Sequence, residues 1–472
     1  MPFAGEAGRG PASAALVDVR HVPFWLDGPP PETAPALAGR TVADLAVVGA
    51  GYTGLWTALL AKSRDPDRDV VVLEGRTAGW AASGRNGGFC SASLTHGLRN
   101  GLDRFPDEMP TLERLGRENL DAIEKTVGDL GIDCSFERTG ELTVATAAWQ
   151  ADELRELPGL AAQVGSQLKW LDGDEVRAKV DSPTYVGGVL DRDGAALVDP
   201  ARLARGLREA CLRLGVRLHE NTPVRGLDGS GAGVSLATPY GEVVARQVAL
   251  GTNAFRPLLR RWAAYVVPVW DYALVTEPLS AGQRAAVGWA ERHGLSDAGN
   301  LFHYYRLTDD GRILWGGYDA VYHLGGRTDE QLERSPATFA VLAEHFFTTF
   351  PQLEGLRFTH AWGGVIDTCS RFSPFWGSAL GGRVGYVAGY TGLGVGASRF
   401  GAQVMLDRLA GEQTERTELA MVRRKPVPFP PEPLRWAGIQ LTRRALAKAD
   451  ARGGRRGPWL RALDAAGMGF DS

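Results

Sequence analysis

Short apolar runs alternate with helical stripes along this chain. Leu45-Ala-Val-Val48 is followed by a glycine-rich turn, Gly49 to Gly54. A helix-like segment then runs from Leu55 to Ala61, and a second apolar run, Val70 to Leu73, ends in Glu74. That succession predicts a strand–helix–strand unit. Between Pro200 and Leu214 the apolar positions Leu203, Leu207, Ala210 and Leu214 recur at helical spacing, and Gly215 stops the helix. Val216–Glu220 and Val243–Gly251 read as strands. Residues 266–320 are rich in β-branched and aromatic positions and predict antiparallel strands, including Phe302–Leu307 and Arg312–Gly317. Asp309-Asp310-Gly311 between those two is a hairpin signal. Residues 103–130 and 150–182 read as helices on either side of a strand, Glu141–Thr146. Near the end, Arg383–Gly389 is a strand, Gly392–Gly396 a turn, and Ala397–Leu409 a helix closed by Gly411.

Mononucleotide-binding pieces therefore sit near the start, the middle and the end, with mainly β and mixed pieces between them. The expected fold class is α/β with two domains. A Rossmann-like domain is assembled from discontinuous segments (41–100, 184–262 and 362–415), and a mixed or antiparallel β-sheet substrate domain is inserted twice (101–183 and 263–361). Residues 1–40 read as an extended arm, because Pro29-Pro30-Pro31 cannot be helical. Its stretch His21–Leu26 is suited to docking on the body. Residues 416–472 form a tail with a basic amphipathic stretch, Arg435–Arg461. The tail reads as a helix packed on the body or solvated, with a membrane or partner surface as the alternative.

Composition narrows the function classes. The chain has 472 residues, 44% hydrophobic and 23% charged, with a formal charge of −3. That balance suits a soluble globular protein and gives no reason to expect nucleic acid as a partner. No apolar run approaches the ~20 residues of a membrane span, and the start lacks the layout of a secretory signal. The four cysteines form no CxxC pair and the eight histidines no HxH or HExxH spacing. A reducing, cytoplasmic setting is expected, and no metal site.

The chemistry sits first in Gly49-Ala50-Gly51-Tyr52-Thr53-Gly54. In a Gly-x-Gly-x-x-Gly turn the first glycine permits the bend, the second lets backbone approach a pyrophosphate, and the third lets helix and strand pack closely. The helix-start amides hold the phosphates. Glu74, twenty residues past Gly54, stands where a carboxylate accepts hydrogen bonds from ribose hydroxyls and would repel the 2′-phosphate of NADP. The fingerprint alone does not separate FAD from NAD.

Three motifs together resemble the D-amino-acid oxidase (DAO) superfamily of FAD-dependent amine and amino-acid oxidoreductases, nearest its γ-glutamylputrescine oxidase-like branch. They are Val47–Gly54 with Glu74, Ala82-Ser-Gly-Arg-Asn-Gly-Gly88, and Gly389-Tyr-Thr-Gly-Leu-Gly-Val-Gly396. With Leu190–Pro200 and the strand containing Trp315, the resemblance spans roughly residues 40–412. It implies non-covalent FAD. Ser83, Gly84, Arg85, Asn86, Gly87 and Gly88 would meet the diphosphate and ring edge. Gly392, Leu393, Gly394 and Val395 would aim amides at the flavin pyrimidine, and Val224 and Gly251 complete the expected cofactor contacts. The chemistry implied is hydride removal from a carbon next to nitrogen, then imine hydrolysis and reoxidation by O2 or another acceptor. A small-molecule amine is the expected partner.

Departures from the family pattern bear on the substrate. Several relatives carry an arginine near Gly392 that clamps a substrate carboxylate. A glycine cannot do so, which argues for an amine without an α-carboxylate there, unless an arginine elsewhere, such as Arg306, substitutes. Some relatives place a lysine over the flavin where this chain has Trp315, leaving oxidase and dehydrogenase both open. A dehydrogenase of an amino or hydroxy acid feeding a quinone, or a flavin-binding protein without turnover, are the alternatives. His303 stands near a substrate-contacting tyrosine of the relatives, and Tyr305 shares its face by strand alternation. His303, Tyr305 and Trp315 are thus expected to line the active site, the other reading for each being a core residue. Cys369 lies near a region where some relatives attach FAD covalently, but its offset from Pro374 fits poorly.

Overall fold

The computed structural model describes Phe3, residues 11–229, Gly231 and residues 233–468. Two eight-stranded sheets organise the chain. The first has the path Phe375–Ala379, Val384–Ala388, Gly241–Leu250, Gly39–Val48, Val70–Leu73, Arg217–His219. Gly39–Val48 runs parallel to both neighbours, with Val48 opposite Leu250 and Leu73. Crossover helices Tyr52–Arg64 and Pro200–Arg213 cover one face, and Gly394–Ala410 joins them. Leu45, Val47, Trp56, Val72, Leu203 and Phe400 are buried between the layers. The continuous apolar runs of the sequence follow from this, since a parallel strand is covered on both faces.

The second sheet is mixed. Its order is Phe358–Thr368, Val267–Thr276, Ile313–Gly317, His303–Leu307, Gly294–Asp297, Glu141–Ala145, Gly187–Asp191, Lys169–Asp172. Its outer layer is the helix Pro336–Thr349, whose Phe339, Leu342 and Phe346 are buried with Leu274, Tyr305 and Trp315.

Several segments differ from the sequence reading. Residues 150–182 are not one helix. Ala148–Gln163 is followed by the strand Lys169–Asp172 and the helix Gly173–Lys179, started by an Asp172–Glu175 capping box. Gly187–Asp191 and Phe358–Thr368 belong, wholly or in large part, outside the sheet that their expected segments suggested, because they hydrogen-bond into the second one. Met109–Asp129 packs its Leu112, Leu115, Leu120 and Ile123 into the first core and touches Gly394–Ala410. An amphipathic helix reveals that it has an apolar stripe, not which sheet covers it. The described part of the arm docks through Arg20, which exchanges backbone hydrogen bonds with Thr359 and Ala361. After two single-turn helices, Glu415–Glu418 and Ala420–Arg423, the tail forms two longer ones, Leu434–Ala451 and Pro458–Ala465, separated where Gly453 and Gly454 adopt positive φ. No described helix is long and apolar enough to cross a membrane.

Candidate active site

A cavity of about 1990 Å³ is lined by residues of both sheets, among them Gly51, Glu74, Asp271 and Tyr304. Small-molecule pockets are typically about 300–1,000 Å³. This one has room for a cofactor and a substrate together.

Its first end is the glycine turn. Gly49 has φ +99°, and a Cβ there would stand 2.7 Å from the Gly251 carbonyl oxygen. A Cβ on Gly54 would stand 1.8 Å from the Gly49 oxygen. Neither position admits a side chain. The Glu74 carboxylate accepts from the amides of Ala50 (2.7 Å) and Arg76 (2.9 Å) and from Trp80 Nε1 (3.0 Å). Burial raises its pKa against those bonds. Glu74 thus braces the turn while lining the cavity. Val224 and Gly251 line the same end, while Ala50 and Gly54 lie behind the turn.

The second motif forms a short helical turn, Ala82–Arg85. Ser83 Oγ accepts from the Tyr52 amide at 2.9 Å, joining this motif to the first. Arg85 and Asn86 line the cavity, as does Gly87. Asn86 Nδ2 donates to Ala82 and Ser83, and its Oδ1 accepts from Gly88 N. Arg85 Nε donates to the Trp80 carbonyl, and its guanidinium pairs with Glu333 at 2.6 Å. Both side chains thereby also brace the loop. Gly84 and Gly88 take no part in the lining. Cβ atoms there would meet the carbonyl oxygens of Gly79 at 2.4 Å and Val198 at 2.2 Å.

The third motif closes the far side. Thr53 Oγ1 donates to the Tyr390 hydroxyl at 3.0 Å, tying the first helix to the late turn. Asp367 accepts from the Gly389 amide at 2.6 Å, and burial raises its pKa to about 7. Gly392, Leu393, Gly394 and Val395 line the cavity at the start of Gly394–Ala410. Cys369 does not. It is buried, its thiol donating to the Ser373 and Gly389 carbonyls.

At the reacting end the face of the sheet decides which residues are presented. His303, Tyr305 and Trp315 do not line the cavity. They point to the opposite side, into the core under Pro336–Thr349. There Tyr305 shares a hydrogen bond with Tyr185 (2.7 Å), and His303 Nδ1 is 2.6 Å from Asp297 Oδ2. His303 Nε2 is 3.0 Å from His345 Nδ1, and burial and the neighbouring His303 lower the pKa of His345 to about 3. Tyr304 occupies the cavity side instead. Its ring fills the space over Gly87 and Gly316, where Cβ atoms would each lie 2.6 Å away. Its hydroxyl donates to Asp271 Oδ2 at 2.6 Å. Strand alternation means that a one-residue shift in the chosen position exchanges cavity for core. Arg306 shares the Tyr304 face but is buried, donating to the Val198 carbonyl at 2.7 Å, and does not line the cavity.

Asp271 interrupts the apolar strand Val267–Thr276 and lines the cavity. Burial raises its pKa to about 6, opposed by the Tyr304 hydroxyl and by backbone amides. A lone acid in such a strand was the available sequence signal for this residue. Nearby, Asp319 pairs with Arg443 of the tail helix at 2.6 Å. The tail thereby helps to wall the cavity, which sequence alone did not indicate.

The βαβ glycine turn lining a cavity large enough for a cofactor and a substrate is that of a dinucleotide-binding protein. More particularly, the chain belongs to the FAD dependent oxidoreductase (DAO) family, whose model matches residues 44–408. It is 31% identical over 398 residues to gamma-glutamylputrescine oxidoreductase of Escherichia coli, covering 82% of this chain and 88% of that protein. A probable oxidoreductase, OrdL of Haemophilus influenzae, is 28% identical over 392 residues, covering 80% and 85%. Among solved structures, glycine oxidase from Geobacillus kaustophilus superposes with a TM-score of 0.67 at 20% identity, covering 81% of this chain and 99% of that one. FAD is therefore the cofactor, and the chain's own groups fit it. Thr252 Oγ1 and Ser398 Oγ, both in cavity-lining residues, are buried hydroxyl oxygens with no protein partner. Such atoms are rarely left unpaired without a ligand or water.

Proposed function

We propose that this enzyme oxidises a C–N bond in an amine that carries no α-carboxylate at the reacting carbon. The observation that carries the reading is the Asp271–Tyr304 pair, which lines the same cavity as the glycine turn. FAD supplies the acceptor for a hydride from the carbon next to nitrogen. The Asp271 carboxylate binds the ammonium group and accepts the proton that the nitrogen must lose before the hydride leaves, and Tyr304 fixes the amine's orientation. Gly392 leaves open space, with no atom within 4 Å of a Cβ built there. Among the arginines that line the cavity, Arg85 and Arg443 are already paired with Glu333 and Asp319. Neither is a ready clamp for a carboxylate. The likeness to a gamma-glutamylputrescine oxidoreductase supports an amine of this kind, with a polyamine-derived compound the first to try.

The test is an anaerobic screen in which loss of visible flavin absorbance is followed after adding polyamines, N-methylated amines and α-amino acids. Amines lacking an α-carboxylate are expected to bleach the flavin. Reduction by α-amino acids alone would overturn the reading. Hydrogen peroxide released in air then separates an oxidase from a dehydrogenase that uses another acceptor.

A further inference from the structure

The two tail helices form a cap whose surface is unlike the rest of the molecule. Residues 434–468 contain eight basic and two acidic residues, in a chain of net charge −3. Both acids are engaged. Asp450 accepts from Asn300 and Leu301, and Asp464 pairs with Arg456 at 2.6 Å. Arg444, Lys448, Arg452, Arg455 and Arg461 are exposed and make no ion pair among the described residues. Five cations thus face solvent with no ion-pair partner among the described residues.

The same cap concentrates exposed apolar side chains. Of the chain's 13 tryptophans, the exposed ones are Trp436 and Trp459, at 40% and 37%. Leu434 and Leu441, one face of one helix, are 64% and 46% exposed and lie in register with Arg444 and Lys448. Isolated exposed leucines are ordinary. Exposed leucine and tryptophan beside unpaired cations are the composition of a helix that lies at a lipid–water interface.

We infer that the cap docks on an anionic lipid bilayer, with Trp436 and Trp459 at the headgroup level and the five cations against the lipid phosphates. Charge complementarity selects this occupant, because each basic residue near an anionic surface adds to the attraction. Leu434, Leu441 and Trp459 also line the cavity, so the cap is both its wall and the proposed docking face. The inner side of the cap is already committed to the body through Arg443–Asp319 and Asp450–Asn300, so docking needs no unfolding.

The experiment is co-sedimentation of the flavin-loaded enzyme with phosphatidylcholine vesicles, with and without phosphatidylglycerol. Binding is expected to the anionic vesicles only, to weaken as salt is raised, and to shift tryptophan emission to the blue. The triple variant R444E/K448E/R452E should bind about tenfold more weakly or worse, and W436A/W459A should lose the emission shift, both with unchanged flavin content. Failure to sediment with anionic vesicles at low salt would overturn the inference. So would equal binding by the triple variant, or salt-sensitive capture by an acidic protein or nucleic acid with no affinity for vesicles. None of these outcomes depends on which amine is oxidised.

Discussion

Asp271 is held where a carboxylate is poorly solvated, and its function and its effect on stability pull in opposite directions. Its pKa rises from 3.8 to about 6 on folding. The folded protein therefore binds more protons than the unfolded chain between those values, and stability is lost as pH rises through that window. Substitution by Asn keeps an acceptor for Tyr304 and removes the charge. Asp271→Asn is expected to raise stability at pH 8, by at most roughly 3 kcal/mol, read as a higher Tm. The same change should raise KM for the amine about tenfold or more, the loss of a charged hydrogen-bond partner. In the wild type, kcat/KM should fall as pH drops through about 6, where the carboxylate takes up a proton. A flat profile over that range would remove Asp271 from the role of ammonium partner. Tyr304 and its neighbour give a sharper contrast. Tyr304→Phe should lower kcat/KM about tenfold with little change in Tm. Tyr305→Phe breaks the buried bond to Tyr185. It should cost about 1 kcal/mol in stability and leave kinetics alone. The reverse pattern would restore Tyr305 to the active site.

At the scale of elements, the three glycine motifs work as one scaffold joined by Ser83–Tyr52 and Thr53–Tyr390. The glycines within it are not equivalent. A methyl on Gly54 would collide with the Gly49 carbonyl at 1.8 Å, whereas one on Gly392 meets nothing within 4 Å. Gly54→Ala is therefore expected to yield protein without bound flavin, or none that is soluble. Gly392→Ala has only its positive φ of +93° to overcome, a strain of about 1 kcal/mol, and should purify yellow. Equal flavin content in the two would show that the Gly54 contact relaxes. The first motif was legible in sequence because strand, turn, helix, strand and acid follow one another within a single unit. The ion pair of Arg85 was not, because its partner Glu333 is brought to it by the packing of a separate segment.

On the scale of the whole molecule, one wall of the cavity is formed by residues of the tail, Leu434, Gly438 and Arg443 among them. Arg443 reaches Asp319, Glu432 accepts from the Gly325 amide at 3.2 Å, and Gln440 donates to the Tyr322 carbonyl at 3.2 Å. None of these contacts involves the glycine motifs. A chain ending before Leu434 is expected to keep its flavin but show a KM for the amine raised several-fold. Loss of flavin from that truncation would mean that the cap supports the cofactor as well. Arg443→Ala is the milder version. It leaves Asp319 largely buried without its cation, and its effect should appear in KM before kcat.

The sequence by itself determined the cofactor end. Local order specifies it, since the bend at Gly49, the close packing at Gly54 and the acid at Glu74 lie within one βαβ unit and need no distant partner to be recognised. It also determined that strands 303–307 and 313–317 would form a hairpin, through Asp309-Asp310-Gly311. Tertiary structure alone decided which face of that hairpin met the cavity. The sheet's period of two treats Tyr304 and Tyr305 alike until one side is covered. Here the helix Pro336–Thr349 covers the side of His303, Tyr305 and Trp315, and the loop at Gly87 receives Tyr304. Tertiary structure likewise decided that a basic tail, readable as mere solvated helix, became a wall of the active site.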